Sequence, residues 1–520
     1  MTEIIRKTLR DSKAARWTAL VIVAFTMLTG YFFTEIISPL KPLLESQYGW
    51  SSTDFGYVTG AYGWFNVFLG MLIIAGIILD KAGIRFSTVT SASIMVVGAF
   101  IKFYSVKYLA TDTTFTFLGM HFTPQVFGAC IGYAIFGVGV EFAGITVSRV
   151  IVKWFKGYEM ALAMGLEMAC ARLGTFAAMA FAPSLASAFS IPGAILFGVV
   201  LLLIGLISFI IYFFMDVKLD KQTAEDDLDF SDEKFKFKDI LLVIKNPGFW
   251  LIALLCVLFY SAVFPFYKYG TDLMFNKFGV PLNNGTILGF IPKGANIIPA
   301  LLPFGTLFLT PLFGNVYDKK GKGATIMIIG AFLLVIAHVL LYLPGMTSTF
   351  LAFCAVIIIG IAFSLVPSAM WPSVPKIIPE KILGTAYSLI FFIQNIGLML
   401  VPTFLGRILE KNNPEVTAAI AGAKDALSNG IVPEGAQPII DNMVQAGQQV
   451  DIANLSSSQI ADIVTAMREG ANPIIAPYDY SQTWLLFIAL SASAVIFAFI
   501  LKFVDKKKGY GLEKPNIVKQ

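Results

Sequence analysis

The chain has 520 residues, 57% of them hydrophobic and only 14% charged, with a net charge of +5 and a mean hydropathy of +0.76. A soluble domain is about 45–50% apolar and about 25% charged, so this composition excludes an ordinary soluble enzyme and indicates a polytopic membrane protein. The positive charge does not signal nucleic acid, because the basic residues sit beside apolar runs, as membrane flanks do.

The N-terminal stretch is basic (Arg6, Lys7, Arg10, Lys13, Arg16) and leads into a long apolar run with no small-residue cleavage site. It reads as a cytoplasmic tail and a retained first span. Twelve apolar runs follow, near 16–37, 54–79, 86–108, 123–152, 158–184, 190–215, 248–268, 284–313, 324–344, 349–376, 382–410 and 481–504. The N-tail, Lys81/Arg85, Lys153/Lys156, Lys319/Lys320/Lys322 and Lys506–Lys508 all fall on one side, which the positive-inside rule makes the cytoplasm. The turns opposite, such as Pro183–Gly193 and Pro344–Phe350, carry no basic residue. An even number of spans puts both termini inside.

The charged stretch Asp216–Asn246 is the one long cytoplasmic linker and reads as solvated. The polar, alanine-rich stretch Glu410–Gln482 is too long for a plain loop and predicts a small helical cap on the outer face. The expected organisation is a six-helix half over 1–215, a linker over 216–247, helices 7–11 over 248–410, an extracytoplasmic insertion over 411–480, helix 12 over 481–504 and a tail over 505–520.

One stretch carries the chemistry. In Gly139–Gly174, Glu141 precedes and Arg172 follows the basic turn at Lys153, Lys156 and Gly157, and both sit in apolar surroundings. At 1.5 Å per residue they lie about 22 Å and about 25 Å from that turn, hence near one depth. An ionisable group in hydrocarbon costs at least about 2.5–3.5 kcal/mol and persists where it has a partner or a wet cavity. The two charges make either a dipolar receptacle or a buried ion pair that ties the helices together.

Other intramembrane polar groups have open roles. Glu35 is an outer-cavity wall, a proton acceptor or an ordinary interfacial acid. Glu167 lies about 140° around the helix from Arg172 and either joins a polar network or pairs with a lysine elsewhere. Lys293, in a Pro- and Gly-rich eighth span, either reaches the outer surface or adds a cation to the cavity; Arg149 reads as snorkelling to the interface. Tyr62, Trp64, Tyr260 and Trp371 are aromatics with a polar handle, suited to a cavity wall or to packing. Asn66, Gln394 and Asn395 need partners in lipid. His338 reads as a hydrogen-bonded core histidine. Cys130, Cys170, Cys256 and Cys354 are core fillers, and two histidines do not make a metal centre. With no phosphate loop or nucleophile–base pair either, the chain is not expected to be an enzyme or to carry a metal or cofactor.

The halves also echo each other. GIILDKAGIR (Gly76–Arg85) and GNVYDKKGKG (Gly314–Gly323) share Gly-x-x-x-Asp-Lys-x-Gly at equivalent cytoplasmic turns. The repeat, with Gly76, Asp80, Lys81, Gly83 and Arg85 in one copy and Gly314, Asp318, Lys319 and Gly321 in the other, resembles the loop signature of the major facilitator superfamily. That resemblance implies an all-α fold of twelve transmembrane helices in two six-helix halves. It also implies a gating role for the turns: tight glycine packing, an Asp that caps a neighbouring helix, and a basic residue that pairs across the bundle. YGWFNV, FGVGVE, VKWFKGYE, ARLG, FYSAVFPF, WPSV and LGTAYSLIFFIQNIGL are in turn similar to the lysosomal dipeptide uniporter family and its bacterial relatives. The resemblance implies transport of dipeptides by alternating access, with Glu141 and Arg172 on the peptide's amino and carboxyl ends. The rival reading is an organic anion transporter. The expected setting is a bacterial inner membrane, with the protein a monomer in contact with lipid and with a small-molecule substrate. A protein partner is not legible.

Overall fold

Helix ends are set locally. Ser12 caps α1 (Lys13–Glu35) by accepting the Ala15 N–H, and Ser51 with Asp54 forms a reciprocal capping box at α3 (Ser52–Gly60). Between them lies the short α2 (Lys41–Tyr48), closed by left-handed Gly49. After α3 the chain passes through a 3-10 turn at Ala61–Gly63 and α4 (Trp64–Phe68), then enters α5 (Met71–Tyr108).

Among the described residues ten helices are long and apolar enough to cross a membrane, and two of the long ones fold back on themselves. A straight helix of the 64 residues of α7 (Met160–Thr223) would run about 96 Å, three times a bilayer core. It reverses at Ser190, φ 73° and ψ 167°, just before Pro192. Helix α5 reverses at Gly83, φ 78° and ψ 173°. Its first limb completes the crossing begun by α3 and α4. With α6 (Pro124–Phe155) the first half therefore has six crossings.

The second half consists of α9 (Pro247–Phe278), α10 (Ile297–Lys320), α11 (Gly323–Tyr342), α12 (Thr349–Ile377), α13 (Leu383–Asn412) and α17 (Ser481–Lys508), preceded by the short α8 (Phe237–Ile244). Between α13 and α17 stand α14 (Pro414–Ser428), α15 (Gln437–Gln445) and α16 (Ser457–Met467). The face carrying these three helices is termed the cap face, and the opposite one the tail face. Two small hairpins, β1–β2 (Phe115 opposite Phe122) and β3–β4 (Thr286 opposite Pro292), also lie on the cap side. Large apolar side chains such as Phe68, Phe214 and Phe503 are exposed, as helix faces that meet hydrocarbon require.

The computed structural model describes residues 9–155, 158–223, 237–282, 285–287, 291–379, 382–470 and 472–516. Arg6, Lys7, Lys156, Gly157 and the middle of the linker lie outside the described residues.

Three sequence expectations are corrected. The eighth crossing starts at Ile297, not near 284, because the chain first makes the β3–β4 hairpin. Lys293 therefore stands outside the span. The turn expected over Pro183–Gly193 shrinks to Ser190, with Pro183 tolerated inside the helix. Asp216 is not solvated charge: α7 runs on to Thr223, and Asp216 is buried among Lys153, Arg85, Trp154 and Tyr212.

Candidate functional site

A chamber of about 120 Å³ lies between the halves, lined by Tyr31, Thr34, Glu35, Thr59, Tyr62, Tyr133, Glu141 and Thr175 from the first half. The second half supplies Phe264, Pro265, Lys268, Phe391, Gln394, Leu398 and Pro402. Glu141 faces it from α6 and is half-buried. Its Oε1 accepts from the Tyr62 hydroxyl at 3.0 Å and from the Asn395 amide at 3.5 Å, so a carboxylate of one half is joined to an amide of the other. Gln394, beside Asn395, accepts from the Cys256 thiol at 3.4 Å.

Lys268 is the cation of this wall, and sequence reading missed it. Its ammonium lies 2.8 Å from Glu35 Oε1 and donates to Thr34 O at 3.0 Å and to Tyr133 Oη at 3.4 Å. Glu35 also accepts from Ser38 Oγ at 2.6 Å. The signal was present, a lysine in an apolar run, but it fell on the last residue of the expected seventh span, where lysines commonly snorkel. Lys102, fully buried in α5, stands behind Tyr133 with its ammonium 3.8 Å from the ring.

Arg172 is not among the residues lining this chamber. It is half-buried in α7 with its guanidinium 4.8 Å from the Phe363 ring, a contact between the halves. Among the described residues no carboxylate pairs with it, so it and Glu141 are not bonded to each other. Arg172, Glu141 and Glu167 all lie within electrostatic range of Tyr31, which lines the chamber. Arg172 also acts on Tyr260 and Tyr267. Tyr260 accepts from the Trp371 indole at 3.0 Å and stacks on Phe264 at 5.4 Å, so both aromatics back the chamber without lining it.

Trp64 is turned away. It sits two residues from Tyr62, about 200° around a helix, and packs edge-on against Phe122 at 6.4 Å. Asn66 is fully buried and reaches back to Tyr62 O at 3.5 Å, also off the chamber. Lys293 is exposed and lines a separate pocket of about 480 Å³ on the cap face, beside Asp462 and Glu469, whose carboxyls burial pushes up. His338 is buried, 3.4 Å from Ser491 Oγ and stacked on Trp484 and Phe487.

The two faces differ. On the tail side a cleft of about 340 Å³ separates Gly76, Asp80 and Arg149 from Gly384, Thr385 and Tyr387 of α13. Phe391 lines both this cleft and the chamber. The duplicated turns accordingly differ from expectation. Gly76 and Gly314 have open space where tight packing was expected, because the cleft lies beside Gly76. Asp80 pairs with Arg149 at 3.3 Å, so Arg149 is not simply snorkelling, and Asp318 accepts from Asn516 at 2.8 Å. Lys81 and Lys319 are exposed, and the cross-helix pairing belongs to Arg85 with Asp216, at 3.2 Å, and with Asp220. Gly83 and Gly321 both adopt positive φ, 78° and 69°.

On the cap side the halves touch. A Cβ added to Gly60 would lie 2.5 Å from Met399 O, and one added to Gly406 would lie 2.2 Å from Ser52 O, so α3 and α13 meet backbone to backbone. Asn296 donates to Met179 O and Ala180 O, Arg407 to the Tyr57 hydroxyl, and Glu410 accepts the Thr53 N–H.

Two six-helix halves, closed on one face and parted on the other around a charged chamber, define a membrane transporter and not an enzyme. The family model of the Major Facilitator Superfamily matches residues 20–402, and the chain belongs to that superfamily. It is similar to the lysosomal dipeptide transporter MFSD1 of Homo sapiens, 27% identical over 406 residues that cover 76% of this chain and 80% of the relative. The Danio rerio protein of the same name gives 27% over 406 residues, 75% of this chain and 80% of the relative. Among solved structures, a bacterial homologue of the human lysosomal transporter Spinster, inward-facing and unoccupied, superposes with a TM-score of 0.64 at 15% identity, over 95% of this chain and 98% of that one. At that identity the likeness concerns the fold.

Proposed function

We propose that this transporter carries dipeptides by alternating access, with Glu141 receiving the peptide ammonium and Arg172 its carboxylate. The observation that carries the reading is the disposition of these two charges. Glu141 is held by Tyr62 and Asn395, Arg172 makes no ion pair with a carboxylate among the described residues, and both lie within electrostatic range of Tyr31 on the chamber wall. A zwitterion supplies one charge to each. Relatives named as dipeptide transporters support the assignment. The aromatic backing of Tyr260, Phe264 and Trp371 suits variable side chains.

In this reading the halves 1–215 and 248–410 with 481–504 rock about the chamber, and the Asp80 and Asp318 turns bear on the tail-face cleft. The clustering of lysine and arginine supports reading the tail face as cytoplasmic, with both termini there; the proposed setting is a bacterial plasma membrane and the proposed state a monomer. Glu35 and Glu167 are the carboxyls available if protons are coupled to the cycle.

Lys268 favours a second reading, an organic anion transporter, since it places a cation directly on the chamber wall. One ligand screen decides between them. A ligand that binds only the native state at a hundred times its Kd stabilises by about 2.7 kcal/mol and raises Tm accordingly. Dipeptides should do so, whereas single amino acids, tripeptides and dicarboxylates should not, and counterflow in proteoliposomes should follow the same order. Stabilisation by dicarboxylates alone would replace the dipeptide reading with the anion one.

A further inference from the structure

Three buried ion pairs join the halves on the cap side of the chamber, one beyond another. Glu35 meets Lys268 at 2.8 Å, Lys41 meets Asp272 at 2.9 Å, and Glu45 meets Arg468 at 2.9 Å. All six residues are no more than 7% exposed. The signs alternate along each half: minus, plus, minus on the first, and plus, minus, plus on the second. The spacing is that of a helix face. Lys41 and Glu45 are one turn apart on α2, and Lys268, Asp272 and Asn276 are successive turns of α9.

At the level of Asn276 the crossing helix presents no charge to Glu45, because the neighbouring Lys277 turns away to Leu341 O and Leu343 O. The third cation arrives instead from the segment between α13 and α17. Arg468 donates from Nη2 to Asn276 Oδ1 at 3.4 Å while its Nη1 holds Glu45. The same segment adds Tyr478, which donates to Glu45, and Tyr480, which donates to Asp272. Thr465 of α16 reaches Ser46 of α2 at 3.3 Å. The segment thus completes a contact that the twelve crossings leave unfinished.

We propose that the 411–480 segment is a latch: it supplies the last rung of a charge ladder that holds the cap face shut and fixes the register in which it recloses. A buried charge that loses its partner is strongly destabilised, so each rung resists parting. A slip by one rung in one direction would set Glu35 against Asp272, and a slip in the other would set Lys41 against Lys268. Like charges meet either way, so only one closed register is allowed. The proposal takes from the preceding section that the cap face must open, and nothing about the ligand.

The test measures a distance across the cap face of the full chain in lipid nanodiscs, without substrate. Spectroscopic labels at Asp112 of the first half and Thr347 of the second, both exposed, report whether the halves have parted there. Arg468→Met and Glu45→Gln should each raise the parted-to-closed ratio at least about tenfold over wild type. Glu45→Arg should do at least as much, and adding Arg468→Glu to it should return the distribution toward wild type. That charge exchange guards against reading misfolding as release, since only a direct pair is rescued by reversing both signs. An Arg468→Met distribution like that of wild type, or an exchanged pair as parted as Glu45→Arg alone, would overturn the latch. Because no peptide is present, a dipeptide that fails to bind wild type would sink the substrate assignment and leave these distances unaffected.

Discussion

Arg172→Lys separates a carboxylate clamp from scaffolding. In the structure the guanidinium rests 4.8 Å from the Phe363 ring and is hydrogen-bonded to no carboxylate among the described residues, with Glu167 in electrostatic range only, so its fork is available to a ligand. Lysine keeps the charge but loses the planar pair of donors and the stacking. A charge-assisted contact is worth about 1.5–3 kcal/mol, which is about one to two decades in affinity. Amidating the C-terminus of the peptide removes the same contact from the other side. Calorimetry with one dipeptide and its amide, on wild type, Arg172→Lys and Arg172→Ala, completes a thermodynamic cycle. Amidation should weaken binding to wild type by that one to two decades and add little in either variant, because the partner is already absent. Equal amidation penalties before and after mutation would refute the clamp and transfer the carboxylate to Lys268, the cation that lines the chamber.

Glu141→Gln should weaken binding of a free dipeptide by about tenfold or more while scarcely changing that of its N-acetyl form; equal losses for both would remove the ammonium role. Gly60→Val should leave the chamber chemistry intact yet prevent cap-face closure, since a Cβ there meets the Met399 backbone oxygen at 2.5 Å and Thr403 Oγ1 at 2.6 Å. Label distances across the cap face should lengthen and net transport should fall by at least about tenfold, with a wild-type distance distribution counting against the backbone-contact argument.

Much of this fold is legible because hydrocarbon allows few solutions. Apolar run length and basic flanks place most crossings to within a few residues. The errors fall where length alone misleads. The eighth run is long enough to span from 284, but Pro292 and Gly294 leave a hairpin and an exposed Lys293 before Ile297. At the site, Glu141 and Arg172 stood out because each is a charge deep in an apolar run. Tyr62 and Trp64 looked equivalent in sequence, yet two residues on a helix point to opposite sides, and only the fold decides which side is wet. The open space at Gly76 was not legible, because one sequence must serve both the parted and the closed state. Arg468 was illegible for a different reason. Its partner lies 423 positions away, and nothing in an alanine-rich polar segment marks one arginine as buried.

Phe391, which lines both the chamber and the tail-face cleft, makes the two barriers around the site unequal in kind. Toward the cap face, exit requires parting α3 from α13 and breaking several buried polar contacts, a collective movement of the microsecond-to-millisecond class. Toward the tail face the partition at this point is one ring, stacked on Trp371 at 5.0 Å. If rotation of that ring joins the two spaces, the step is orders of magnitude faster than domain motion. In that case a bound solute equilibrates with the tail-side water many times before the halves rearrange. Occupancy at the moment of reversal is therefore set by the concentration on that side and not by the rate of escape.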